Sequence, residues 1–319
     1  MLLKPLAAVV GAIVGMLLLS MIVLNVYHSP MPHNLPVAIV GSGPVVAGLV
    51  KKLDASPQLA VRQVANGPAA RILIEQRKIY GAYAPLKKTG EVLVASAASQ
   101  PVAGVIPQIF APVSQQLGIT PVVKDIAPLP TADSAGASSY FLTLVALIFA
   151  GLAGWFLESK LPSIRRGLGT TLARILLIAV GGILAGLVMA EYANAIGIFK
   201  GHLLDTTLAL ALTFFAVTTI ASVYTSVLGG PAGLGLGLSV FVLIGVLVAS
   251  GESSAPQFLP SAWRVIGGLL PPRSTVELIK NYAYFGGRAT TTPLIVLGCY
   301  SGLGVLMMLA LSPFRRLSR

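Results

Sequence analysis

Residues 37–48 read VAIVGSGPVVAG. A short apolar run enters Gly41-x-Gly43 and an apolar, helix-like stretch follows, which is how dinucleotide-binding domains often open. That fingerprint needs three glycines: one for the tight turn, one for backbone approach to pyrophosphate, one for helix–strand packing. Gly41 and Gly43 fill the first two places, but Val46 stands at the third and Pro44 sits where the helix opens. The acidic residue expected about 20 residues on, to hold a ribose, is missing: the region reads LAVRQVANG, and no acid lies between Asp54 and Glu75. Pro44 suits a first helical turn, and Ser42 or Gly43 suits the cap before it. The stretch therefore reads as a structural strand–turn–helix, whose free helix-start amides retain only a general capacity for anions.

Working outward, the alternation continues. LPVAIV, QLAVRQVA, EVLVASA and TPVVKDIAPL read as strands; SGPVVAGLVKKLDAS, PAARILIEQRKIYGAY and PVAGVIPQIFAPVSQQLG read as helices. Strands alternating with helices predict crossover units and a small α/β sheet. The polar segment 28–138 that contains them is long enough for one modest core.

The rest of the chain belongs to a different solvent. Of 319 residues, 55% are hydrophobic and 10% charged, with a mean hydropathy of +0.86. Soluble domains carry about 25% charged residues, so this composition predicts a polytopic membrane protein. Six stretches approach the roughly 20 apolar residues that a bilayer core demands: 6–27, 139–157, 171–192, 206–228, 233–250 and 293–312. The first has an apolar core longer than that of a typical signal peptide and reads as an uncleaved anchor. The expected fold class is thus a polytopic α-helical membrane protein of six transmembrane helices, with a small extracytoplasmic α/β domain between the first and second. Its parts are an N-terminal anchor (1–27), the α/β domain (28–138) and a five-helix membrane domain (139–319).

Orientation follows from basic residues in the short flanks. Lys4 lies at the N-terminus, Lys160, Arg165, Arg166 and Arg174 around the second loop, and Arg315, Arg316 and Arg319 at the C-terminus. Six spans put all three groups on one side, so both termini are expected in the cytoplasm of a bacterial cell and 28–138 outside it. The net charge of +12 then reflects retained loops and anionic headgroups rather than a nucleic-acid partner, for which no module is present.

Candidate chemistry is sparse. Cys299 is the single cysteine, and His28, His33 and His202 show no metal-ligand spacing, so neither metal nor cofactor is expected. No G-x-x-x-x-G-K-[ST] and no G-x-S-x-G occurs, so the chain has no P-loop and no nucleophile elbow, and it does not read as an enzyme. The fourth stretch is rich in hydroxyls. Thr218, Ser222 and Thr225 share a face at i, i+4, i+7 and either bond back to their own helix or line a transport pathway. Glu191 and Asp205 bracket a short loop with His202 and read as interfacial residues or a polar gate. Small-xxx-small spacing at Gly182/Gly186, Gly229/Gly233/Gly237 and Gly298/Gly302 predicts close helix packing, within the chain or at a dimer seam. Residues 251–292 are broken by proline and glycine. Ser261–Leu270 and Ser274–Tyr284 read as two short amphipathic helices of a re-entrant or surface-lying hairpin, separated by Pro271-Pro272.

This layout resembles the type-2 ABC exporter permease superfamily, and within it the YhgE/Pip (phage infection protein) branch of bacterial membrane proteins. The resemblance rests on LPVAIV (35–40), RKIYGAYAP (77–85), IAPLPTADSAGASSYFLTL (126–144) and LLPPRSTVELIKNYAYFGG (269–287). It implies export rather than uptake, a dimer of permease subunits, and in the ATP-driven members a cytoplasmic ATPase docking on the loop between spans two and three. Here that loop is ESKLPSIRRGLG (158–169), with Lys160, Arg165 and Arg166 as its coupling residues. The expected function is a permease component moving a lipidic, peptide or envelope-precursor substrate. The alternative is a membrane-anchored surface, receptor or envelope-assembly protein whose external domain binds a partner without transport.

Overall fold

A computed structural model describes residues 32–85, 89–161, 164, 167–248 and 255–312, together with helical residues 10, 13–17, 20–21 and 23–24. The expected first span, 6–27, falls largely outside the described residues, as do Arg165, Arg166 and the C-terminal arginines.

The α/β lobe is built on five strands: β1 (Leu35–Val40), β2 (Leu59–Val64), β3 (Gly81–Pro85), β4 (Gly90–Val94) and β5 (Pro121–Asp125). Their order across the sheet is β2-β1-β3-β4-β5. All neighbours are parallel except β3 and β4, which pair antiparallel from Gly81↔Val94 to Pro85↔Gly90. Side chains alternate across the sheet as the two-residue period requires. Val37, Ile39, Tyr83, Val92 and Val94 pack with Val102, Ile106 and Phe110 of α3 (Gln100–Gln116) and Val46 of α1 (Pro44–Asp54). Ala38, Val40, Ala82, Ala84 and Leu93 face the other way, onto Ala70 and Ile74 of α2 (Gly67–Glu75).

The turn at 41–43 is explained by its backbone. Gly41 and Gly43 have φ of 124° and 108°, a region that L side chains avoid, and Gly41 N–H donates to the Val64 carbonyl at 2.8 Å. The glycines make the turn and the edge pairing.

One strand corrects the sequence reading. PAARILIEQRKIYGAY was expected to be helical throughout, but α2 ends at Glu75 and its tail enters β3. The reversal occurs at Arg77, with φ 59°. Gly81 then lies against the core: a Cβ there would stand 2.6 Å from the Leu93 carbonyl oxygen and 2.8 Å from Ile106 Cδ1.

Among the described residues, four helices are long and apolar enough to cross a membrane: α4 (Ser138–Lys160), α5 (Leu168–Ala195), α6 (Leu203–Leu228) and α10 (Thr291–Leu311). Four of the expected stretches, 139–157, 171–192, 206–228 and 293–312, coincide with them. The stretch expected at 233–250 is α7 (Gly230–Gly237) running on into a π-wound segment, Leu238–Val248. Its apolar helical part, Gly230–Val246, is shorter than these four, and residues 249–254 lie outside the described residues. Asp133 opens the membrane part by capping α4, its Oδ1 accepting the Ala137 and Ser138 amides at 3.1 and 3.2 Å.

The broken segment forms α8 (Ser261–Leu269) and α9 (Pro271–Phe285). Pro271 and Pro272 do not merely separate them; they open α9, where the missing N–H is harmless. α8 leaves Val265 and Leu269 exposed, whereas α9 buries Val276, Leu278, Ile279 and Asn281. α6 is the hub. Of its most apolar window 78% is buried, against 17–33% for the other three long helices, so α4, α5, α9 and α10 pack around it while the far faces of α4, α5 and α10 stay apolar and uncovered.

Candidate functional site

The hydroxyl face of α6 is interior. Thr218 and Ser222 are 0% exposed and Thr225 is 3% exposed. Thr218 Oγ1 donates across to the Ala150 carbonyl of α4 at 3.1 Å. Thr213 Oγ1 lies 2.7 Å from Thr275 Oγ1 of α9, and each also reaches a carbonyl one turn back on its own helix. Ser222 Oγ and Thr225 Oγ1 are buried without a hydrogen-bond partner among the described residues. Part of the face thus ties helices together and part holds polar atoms in reserve. Interhelical hydroxyl bonds of this kind contribute about 0.6 kcal/mol on average. Thr218→Val is therefore expected to lower stability by about that amount, read as a small shift of the unfolding midpoint in a mixed-micelle titration.

Glu191 is exposed near the end of α5. Asp205 is half-exposed at the start of α6, with its Oδ2 3.3 Å from His202 Nδ1. No bond joins Glu191 to that pair among the described residues.

Arg174 was expected as a cytoplasmic anchor beside the second loop, and Glu158 lies at the loop's other end. They form a buried ion pair instead, with side chains only 6% and 2% exposed. Glu158 also accepts the Ile164 amide at 3.4 Å, and Thr171 Oγ1 donates to the Ile164 carbonyl at 2.9 Å. The pair therefore staples α4 to α5 across the loop that carries Lys160, which is exposed.

The lobe is joined to the helices through α9 and the chain before α8. Phe285 enters the alanine-rich face of the sheet, with the Arg77 guanidinium 4.9 Å above its ring. Arg288 Nη1 pairs with Glu75 Oε2 at 2.9 Å. Ala255 and Phe258 join the opposite core face, and the His33 amide donates to the Gln257 carbonyl at 2.8 Å. Burial, with the Asp133 carboxylate nearby, pushes the Tyr284 phenol far above its usual range, so it stays neutral. Between lobe and helices lies a polar cleft of about 260 Å³, walled by Arg77, Gln257, Arg273, Glu277 and Asn281. A second groove of about 500 Å³ is almost wholly apolar, between the start of α4 (Phe141, Val145) and the end of α5 (Val188, Met189, Tyr192). Neither was anticipated.

Together these features define a membrane-embedded helical protein bearing a small α/β lobe docked on its bundle. No family model, curated protein or solved structure matches the chain.

Proposed function

We propose that the chain is a membrane component of an export system, a permease-like subunit handling a lipidic, peptide or envelope-precursor cargo. The observation that carries this reading is the docking of the lobe on α9. Phe285 sits in the lobe's core while Leu278 and Ile279, two turns earlier, sit in the bundle's core, so a displacement of the lobe moves a helix packed on the hub. With both termini cytoplasmic, as the basic flanks favour, the lobe is extracytoplasmic and stands where cargo leaves. The apolar groove beside α4 and α5 suits an acyl chain, and Ser222 and Thr225 offer polar atoms to a passing polar group. Two copies would complete the pathway, and the 158–169 loop, through Lys160, Arg165 and Arg166, would receive a separate ATPase.

The test is capture. A photo-crosslinker placed at Lys160 in the full chain, followed by gentle solubilisation, is expected to trap a P-loop ATPase together with co-purifying lipid. Recovery of no ATPase, with cargo distribution unchanged on deletion of the gene, overturns the export reading. One observation favours a second reading, an anchored receptor: Thr213 and Thr218 spend their hydroxyls on helix packing. That reading expects activity to survive when the bundle is replaced by an unrelated anchor.

A further inference from the structure

We propose that the cleft between the lobe and α9 binds a phosphate ester bearing an N–H or O–H donor, the chemistry of a phosphoethanolamine or phosphoglycerol lipid headgroup. The inference stands apart from the export reading and rests on unmatched polar atoms carried by residues that wall one space. Three residues walling the cleft carry buried atoms with no hydrogen-bond partner: Arg77 Nη1, Gln257 Oε1 and Asn281 Oδ1. Such atoms are rare in folded proteins, and each one seeks an explanation in a ligand or solvent.

The charges decide which ligand. Arg273 Nε and Glu277 Oε1 neutralise each other at 2.8 Å, and Glu75 is engaged by Arg288 and Arg71. Arg77 has no carboxylate partner among the described residues; its guanidinium lies over the Phe285 ring. Stacking on a ring leaves the in-plane N–H fork free for an oxyanion. The cleft therefore presents one uncompensated positive charge, which water solvates but does not neutralise. Beside it, the Asn281 and Gln257 oxygens accept and need donors. Asn281 is 2% exposed and its amide nitrogen is fixed on the Ala289 carbonyl at 2.9 Å, so its oxygen is held pointing as an acceptor. A bare phosphate satisfies Arg77 only, and a choline ester supplies no N–H. An ethanolamine or glycerol ester supplies both halves.

The location selects a lipid as the source. Thr292 and Pro293, from the first turn of membrane-length α10, close one side of the cleft. Neighbouring α8 displays Val265 and Leu269, 63% and 64% exposed, and is tied to the lobe by Arg264 Nη1 on the His33 carbonyl at 3.3 Å. An apolar helical face beside the end of a spanning helix marks the headgroup level.

The test uses the full chain in nanodiscs containing equal phosphatidylethanolamine, phosphatidylglycerol and phosphatidylcholine, with native mass spectrometry of the released protein. One ethanolamine or glycerol lipid is expected to be retained in preference to choline lipid. Arg77→Gln is expected to cut that retention about tenfold, as loss of one charge-assisted contact implies. Displacement by soluble glycerophosphoethanolamine would assign the same chemistry to a free ester; resistance to it assigns the lipid. Equal retention of all three lipids, unchanged in Arg77→Gln, overturns the proposal. If Arg77→Gln does not fold, the wild-type lipid preference and its loss in Gln257→Leu decide the matter. The result is independent of whether an ATPase is captured at Lys160.

Discussion

Glu158→Ala is expected to destabilise the protein by about 3–5 kcal/mol, the range for removing one partner of a buried ion pair. The effect comes from what is left behind. Arg174 is 3% exposed and sits between α4 and α5, so deleting the carboxylate removes the acid that offsets a buried guanidinium. The Ile164 amide loses its acceptor in the same step, loosening the loop between the helices. Against a total stability of roughly 5–15 kcal/mol for a folded domain, such a loss lowers the yield of folded protein as well as the midpoint of unfolding. The double variant Glu158→Leu/Arg174→Leu removes both charges and is expected to recover most of the loss, because apolar replacement of a buried pair is often neutral or better. Thermal unfolding of the three proteins in the same nanodisc checks this. A single variant as stable as the parent would mean that Arg174 reaches solvent or another acid.

That ion pair also shows what the sequence withheld. Glu158 and Arg174 lie at the ends of two apolar runs, and by composition each is an ordinary boundary residue; only the crossing of α4 and α5 joins them. The lobe was more legible. LPVAIV, QLAVRQVA and EVLVASA alternate with the two-residue period and were found as β1, β2 and β4, because their apolar faces have one core to fill. The missed strand, Gly81–Pro85, follows a helix with no proline between, and its small residues, Gly81, Ala82 and Ala84, carry no strong strand preference; its place is dictated by the sheet. Four of the six expected spans are long helices, and the first, 6–27, lies largely outside the described residues. Hydropathy measures apolar length but not winding, and Leu238–Val248 is wound as a π-helix. The polar cleft was beyond reach because its wall gathers residues from 76 to 293, each unremarkable in its own segment.

The glycines separate packing from interface more sharply than their spacing did, and this gives the second large effect. On α4, a Cβ at Gly154 would stand 2.6 Å from Ala221 Cβ and 2.8 Å from the Thr218 carbonyl oxygen; on α5, a Cβ at Gly186 would stand 2.6 Å from the Thr207 carbonyl oxygen. Both press on the backbone of α6, which cannot rotate away as a side-chain tip can. Gly154→Val and Gly186→Val are therefore expected to cost about 3 kcal/mol or more each, at or beyond the upper end for overpacking, and to prevent accumulation of folded protein. Gly298 and Gly302 on α10 share the same spacing but have open space where a Cβ would go. Gly298→Ala and Gly302→Ala are expected to stay within about 0.5 kcal/mol of the parent, as surface substitutions do. Unfolding midpoints of the four variants check the contrast, and equal losses in all four would mean that the α10 glycines meet a second copy of the chain. Gly302→Leu distinguishes that case directly: a protein that keeps its fold but loses its dimer on cross-linking places the seam on α10, while unchanged cross-linking leaves that face to lipid.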